Sequence, residues 1–311
     1  MLSASVIIPV VVHSTLFATC LTGGLFILIV NCLDWSKHNK ENTGDLIINC
    51  IVTINLILQA TVAFNEICVV TYLEFYIQFW VANSLIFIMC VLVFSSLWCT
   101  TCLCFYYCVK IVNFNGDLFH KIKARISTMV PWLLVFSNVI SWITGLPVYL
   151  DIFIDSPLFY TNATRDSSSF ALNVKSKCNC LFYVFMLVSS IAFSIISLTA
   201  GAIIISLNKH MKQMEKNSDG SARLTSLRSA AQTVTSLLVT YLVLFGSMSV
   251  IFNETHDGSG SIMLIFFALG ACCPTVNNII LINGNRKLSN RMKQLFGKTS
   301  RTANAGFNET T

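Results

Sequence analysis

The sequence predicts an all-α membrane protein: seven transmembrane helices packed as one bundle, followed by a short amphipathic cytoplasmic helix. Three observations carry that prediction. Seven stretches of at least 20 residues contain no Asp, Glu, Lys or Arg. Charged residues make up only 11% of the 311 and hydrophobic ones 55%, too little charge to cover a soluble domain of this size. Of the 20 Lys and Arg, 17 fall in alternate gaps between the stretches, the pattern of basic loops kept on one side of a bilayer.

Each stretch is read as a helix because of its solvent. About 20 apolar residues cross a hydrocarbon core of roughly 30 Å. Lipid offers the backbone no partner, so each segment must bond to itself. The short alternating segments of a β-barrel are absent. The first span, residues 6–31, is too long for a signal peptide and lacks a charged leader, so it reads as an uncleaved anchor. The second, 46–66, opens after Asp45, and the third, 76–109, runs to Lys110. The fourth, 126–150, follows Lys121, Lys123 and Arg125. A polar loop, Asp151–Lys177, precedes the fifth span at 179–208. A basic loop, Lys209–Arg228, with a turn at Ser218-Asp219-Gly220-Ser221, leads to the sixth at 229–252 and the seventh at 261–283. Residues 1–285 form the bundle and 286–311 the tail. In the tail, Leu288, Met292, Leu295 and Phe296 share a face at helical spacing with cations elsewhere, which predicts a helix lying on the inner leaflet.

The charge balance sets direction. The gaps after spans one, three, five and seven sum to +10, and the opposite side to −4. The N-terminus is therefore expected outside and the C-terminus in the cytosol, in the plasma membrane. Because the basic residues lie in four separate loops and not in one patch, nucleic acid is not an expected partner; membrane lipid is.

Chemistry is sparse. The 13 cysteines lie mostly inside spans, where they serve as small packing residues. Cys99 and Cys102 have metal-ligand spacing, but no second pair completes a site, so no metal and no cofactor is expected. Cys68, Cys178 and Cys180 lie near the outer face, where a disulfide can form. No nucleophile with a base can be assembled, so the chain does not read as an enzyme. No charge lies within the seven runs to relay ions, which counts against a carrier or channel. The spans instead hold amides, among them Asn31, Asn49, Asn55, Gln59, Asn277 and Asn278, suited to hydrogen bonding between helices. Seven spans with this orientation and no catalytic group describe a bundle of the G-protein-coupled receptor type.

A subfamily shows at the end of span three. The run from Trp98 through Thr101-Cys102-Leu103, Tyr106-Tyr107, Lys110-Ile111 and Asn113-Phe114 resembles the W-x-x-T-C-L-x-x-F-Y-x-x-K-I-x-N-F stretch of the bitter taste receptors, taste receptor type 2. Asn31-Cys32-Leu33-Asp34-Trp35, Ser206-Leu207 with His210 and Gln213-Met214, and Pro274 through Gly284-Asn285-Arg286-Lys287-Leu288 resemble further family stretches. Vomeronasal receptors are the nearest rival and lack the last of these endings. The chain departs from the family where Gly24 replaces Asn, Asn55 replaces Arg, and Asn277-Asn278 replaces His-Ser, a rewired core.

The resemblance implies a receptor for small, mostly lipophilic bitter compounds, coupled to a gustducin-like heterotrimeric G protein of the inhibitory class. It implies a ligand cleft at the outer ends of spans three, five, six and seven. Residues that could face it are Trp80, Asn83, Met89, Cys90, Val93, Phe185, Met248 and Phe267. Tyr106, Tyr107 and Lys110 are expected as switch and coupling residues, with Lys123, Arg125, His210 and Arg228 bordering the same mouth. The sequon Asn162-Ala163-Thr164 lies in an outer loop, and Asn308-Glu309-Thr310 in the cytosolic tail. Expressed in mammalian cells, the chain is expected to carry a glycan at Asn162 and none at Asn308; a gel shift abolished by Asn308→Gln in place of Asn162→Gln would reverse the topology.

Overall fold

The computed structural model describes residues 4–38, 42–76, 78–112, 117–154, 174–176, 180–214, 221–257 and 260–295. Helix α1 spans Ala4–His38, α2 Thr43–Thr71, the single turn α3 Leu73–Tyr76, α4 Phe79–Ile111 and α5 Asp117–Asp151. A two-stranded ribbon, β1 Ile152–Ile154 and β2 Val174–Ser176, precedes α6 Cys180–Met214, α7 Ser221–Asp257 and α8 Gly260–Gly284. Residues 286–295 form α9. Helices α1, α2, α4, α5, α6 and α7 are each long and apolar enough to cross a membrane. The 25 residues of α8 extend roughly 38 Å at 1.5 Å per residue and close the bundle against α1, α2 and α7.

Helix α4 is the axis of the bundle. It packs on α2, α5, α6 and α7, and its second half is buried nearly all round, including Ser95, Ser96, Thr100 and Thr101. Helix α2 starts where Asn42 caps it, its Oδ1 accepting from the Gly44 N–H, with Asp45 in the first turn. Lys110 stands in the last turn of α4, where the helix dipole favours a cation. Pro274 disturbs the hydrogen-bond ladder of α8 in the turn before it. A carbonyl of that turn, Ala271, accepts from Gln59 Nε2 of α2 at 2.5 Å.

The ribbon is antiparallel, with Ile152 opposite Ser176 and Ile154 opposite Val174. It touches α4 through β1 and α7 through β2, and so bridges the two helices at what we term the hairpin end of the bundle. The sequence reading treated this stretch as loop. The run Ile152-Phe153-Ile154 was its only strand signal, too short for a periodicity test.

Amides and hydroxyls tie neighbouring helices. Asn31 Nδ2 donates to Asn49 Oδ1 at 2.7 Å, between α1 and α2. Asn278 Nδ2 donates to the Cys20 carbonyl at 3.3 Å, and Thr275 to the Leu16 carbonyl at 3.2 Å, between α8 and α1. Each such bond is worth about 0.6–2 kcal/mol in a membrane bundle. His13 of α1 pairs with Glu66 of α2. Glu66 ended the second uncharged run, but the helix continues past it, so the sequence reading of His13 as a packed or lipid-facing residue missed its partner.

The tail helix differs from its expected place on the leaflet. Leu288 is fully buried and Met292 packs against the main core, so this face of α9 docks on the bundle. Leu295 is 55% exposed, and Phe296 lies outside the described residues. Lys287 Nζ reaches Asp45 at 2.8 Å and Asp34 at 3.3 Å, and Arg291 reaches Asp34 at 3.9 Å. Asp34 and Asp45 sit at facing ends of α1 and α2, which makes a ready counter-charge for the tail.

The same end of the bundle needs one glycine. Ser229 Oγ of α7 donates to the Gly284 carbonyl at 2.9 Å, and a Cβ added at Gly284 would stand 2.8 Å from Thr233 Cβ. Threonine is β-branched and short, so it cannot yield. Gly284→Ala is expected to push α7 and α8 apart at a cost of about 1–3 kcal/mol, read as a lower thermal midpoint of the purified protein in detergent.

Candidate functional site

Midway along the bundle, α4, α6 and α7 leave a narrow cleft of about 20 Å³, room for roughly one water. Each helix contributes one stripe at helical spacing: Val93, Phe94 and Leu97 from α4; Phe185, Ser189 and Phe193 from α6; Tyr241, Leu244 and Phe245 from α7. The rings organise it. Phe185 lies 5.8 Å from Phe94 and stacks on Phe245 at 6.0 Å between centroids. Such pairs add about 0.5–1.5 kcal/mol each beyond burial and hold α4, α6 and α7 together across the cleft.

The expected cleft residues divide. Val93 and Phe185 line the cavity, and Met248 packs beside Phe94 and Phe185. Met89 is buried against Leu58 and Val62 of α2. Cys90 is half-buried and Asn83 is buried; both continue the same face of α4 toward its start, and neither lines the cavity. Trp80 is 68% exposed, its ring 6.4 Å from Tyr149 of α5. Phe267 lies in α8, with its side chain outside the described residues. The sequence reading missed Phe94, Leu97, Ser189, Phe193, Tyr241, Leu244 and Phe245. Spacing held part of the signal: Leu97 lies four residues on from Val93, Ser189 and Phe193 lie four and eight on from Phe185, and Leu244 lies four before Met248. Nothing in the composition singled out those faces.

Tyr241 closes the cavity with its ring and carries a polar hub on its hydroxyl. The hydroxyl donates to the Ser96 carbonyl at 3.2 Å. It accepts from Asn277 Nδ2 at 3.1 Å, and lies 2.9 Å from Thr100 Oγ1 and 3.3 Å from Ser96 Oγ. A tyrosine has one proton to give. With that proton on Ser96, Thr100 is the donor in its own contact. Ser96 Oγ in turn donates to Asn55 Oδ1 at 2.7 Å. One chain of hydrogen bonds therefore joins α2, α4, α7 and α8. Asn55 and Asn277, two of the departures noted in the sequence, both end in it.

The expected switch residues gather where α4 approaches the tail helix. Tyr106 is buried, its ring 5.9 Å from that of Tyr107. Lys110 Nζ donates to Tyr106 Oη at 3.3 Å and stands 5.4 Å from its ring centre, a cation–π contact. A Cβ at Gly44 would lie 3.3 Å from Tyr106 Cε1, so the ring rests on the first turn of α2. Tyr107 is partly buried against the main core. On α5, Lys123 is half-buried and Arg125 exposed; Arg228 is exposed near the start of α7. His210 lies in α6 with its side chain outside the described residues, and Asn162 is likewise outside them. Cys68 is a free, buried thiol, while the side chains of Cys178 and Cys180 lie outside the described residues.

A ring of apolar helices, with amides placed where they meet, around an aromatic cleft is the architecture of a multi-pass membrane protein of the seven-helix receptor class. More narrowly, the chain belongs to the taste receptor type 2 family of bitter taste receptors: the family model described as taste receptor protein (TAS2R) matches residues 1–300. It is 30% identical to taste receptor type 2 member 40 of Gallus gallus over 194 residues, 61% of this chain and 62% of that one. It is 26% identical to taste receptor type 2 member 7 of Macaca mulatta over 88% of this chain and 87% of the relative. With taste receptor type 2 member 4 of Gorilla gorilla gorilla the identity is 29% over 87% and 90%. The chain thus spans about six-tenths of the first relative and nearly nine-tenths of the other two.

Tyr241→Phe keeps the ring in the cleft wall and removes the hub. Thr100 and Asn277 lose a partner inside the bundle, so a loss of about 1–3 kcal/mol is expected, measured as a lower thermal midpoint at unchanged helical content by circular dichroism.

Proposed function

We propose that this chain is a plasma-membrane receptor, N-terminus outside, that binds small lipophilic bitter compounds in the cleft between α4, α6 and α7. Binding activates a gustducin-like heterotrimeric G protein and, through phospholipase C, calcium release. Residues 1–285 act as the receptor bundle and 286–311 as its tail. The observation that carries this reading is the shared residue Tyr241: its ring faces the cleft, and its hydroxyl joins α7 to α4 and α8, with α2 reached through Ser96. A ligand that moves the ring disturbs the bonds that set how α7 and α8 sit on α4.

The lining of the cleft suits the ligand class, and its rings must part to admit a molecule larger than the water-sized space now open. Its lining is aromatic and aliphatic with two hydroxyls, as small-molecule sites are: mostly apolar, with few polar groups to fix orientation. Full switching of a two-state bundle from 1:99 to 99:1 needs about 5.5 kcal/mol of differential binding. Several stacked rings supply energy of that order when they close on a flat molecule. At the other end, Tyr106, Tyr107 and Lys110, with Lys123, Arg125, His210 and Arg228, border the mouth where the G protein docks.

The test is calcium mobilisation in cells that co-express the chain with a promiscuous G protein, across a panel of bitter compounds. A G-protein-dependent response is expected; silence across the panel despite surface delivery would remove the reading. For an active compound, Tyr107→Ala and Lys110→Ala are each expected to raise the half-maximal concentration about tenfold, near 1.4 kcal/mol, at unchanged surface expression. Superimposable dose–response curves would strike both from the switch.

A further inference from the structure

Nine side chains line the cleft, and only two of them, Ser189 and Tyr241, carry a polar side-chain atom. The Tyr241 hydroxyl is fully engaged with Ser96, Thr100 and Asn277. Ser189 is 5% exposed, and its Oγ has no hydrogen-bond partner among the described residues. That is unusual within this molecule. A helical serine in apolar surroundings turns its hydroxyl back onto the carbonyl one turn earlier. Ser137, Ser141, Ser194, Ser247 and Ser249 all do so here, each at 2.7 Å. Ser189 does not turn back onto its own helix in this way and stands in the wall of the cavity instead.

The residues around it fix the shape of what could answer that hydroxyl. Phe185 and Phe193 stand one turn to either side of Ser189 on α6, and Phe94 and Phe245 face Phe185. The wall is flat and aromatic apart from this one group. A purely apolar occupant would leave the hydroxyl buried and unpaired, a penalty that grows when water is expelled. An occupant with a polar atom at its edge would satisfy it.

On the reading that this cleft is the ligand site, we infer that Ser189 is its specificity-determining residue. It hydrogen-bonds a single polar group on the edge of a flat aromatic ligand, so the receptor favours aromatic compounds bearing one hydroxyl, amine or carbonyl over hydrocarbons of the same shape.

The test uses the full-length chain in lipid nanodiscs and two probes that differ at one position, 2-naphthol and 2-methylnaphthalene, with binding read from naphthalene fluorescence. Wild type is expected to bind 2-naphthol about tenfold more tightly than 2-methylnaphthalene. Ser189→Ala is expected to erase that preference by weakening 2-naphthol alone, and Ser189→Thr, which restores a hydroxyl, to recover it; an unchanged thermal midpoint certifies each variant. A preference that survives Ser189→Ala overturns the assignment. Equal binding of both probes to wild type also overturns it while leaving the cleft as the ligand site. Failure of both probes to bind folded wild type removes the cleft reading itself.

Discussion

A hydrocarbon solvent accepts no hydrogen bonds, and nearly every feature of this receptor answers that constraint. The backbone satisfies itself in helices. Many serines and threonines inside the spans return their protons to carbonyls of their own helix, as Ser137, Ser141 and Thr144 do along α5. Amides that cannot do so are placed where two helices meet. The result inverts the usual pattern of a soluble protein. Leu198 and Trp132 are more than 70% exposed, while Asn55 and Thr100 are fully buried. Hydrophobic burial alone therefore gains little between helices in lipid, and specific polar contacts with close backbone approach decide which face meets which.

Tyr241 is where that constraint meets the proposed signalling role. Its ring belongs to the apolar wall and its hydroxyl to the polar hub, so the two cannot move independently. Ser96, Thr100 and Asn277 each gain from the hydroxyl's present position, and Asn55 holds Ser96 from α2. A hub of this kind has few ways to be half-formed, because each member left unpaired in a low-dielectric interior costs more than a single bond gains. That favours discrete arrangements over gradual ones, which is what a receptor with two states requires.

The spans were legible because charge is excluded from lipid, and the family because the run from Trp98 to Phe114 matches at so many fixed places. The cleft was only partly legible. Val93 and Phe185 were named from the chain alone, but Trp80 faces outward, and Phe94, Phe245 and Tyr241 went unnamed. The reason is physical. Period-3.6 patterning reveals a buried face only when the opposite face is polar, and a helix in lipid is apolar all round. Glu66 was lost for a related reason: a boundary drawn at the first charge ends a span before its helix ends, and so hid the partner of His13. The tail failed in the other direction. Its apolar stripe was plain, but a stripe cannot say whether membrane or protein covers it; Leu288 and Met292 lie against protein.

The acidic pair Asp34 and Asp45 beneath Lys287 and Arg291 has a practical consequence. Their side chains keep between 18% and 49% of their exposure, so dissolved ions reach them. Contacts of that sort are worth at most about 1 kcal/mol and fade as the Debye length shrinks. The aromatic cleft contains no formal charge to be screened. Ionic strength thus becomes a dial that loosens the tail's anchorage and leaves the aromatic cleft alone, so buffers chosen for extraction and assay set how firmly that last helix holds.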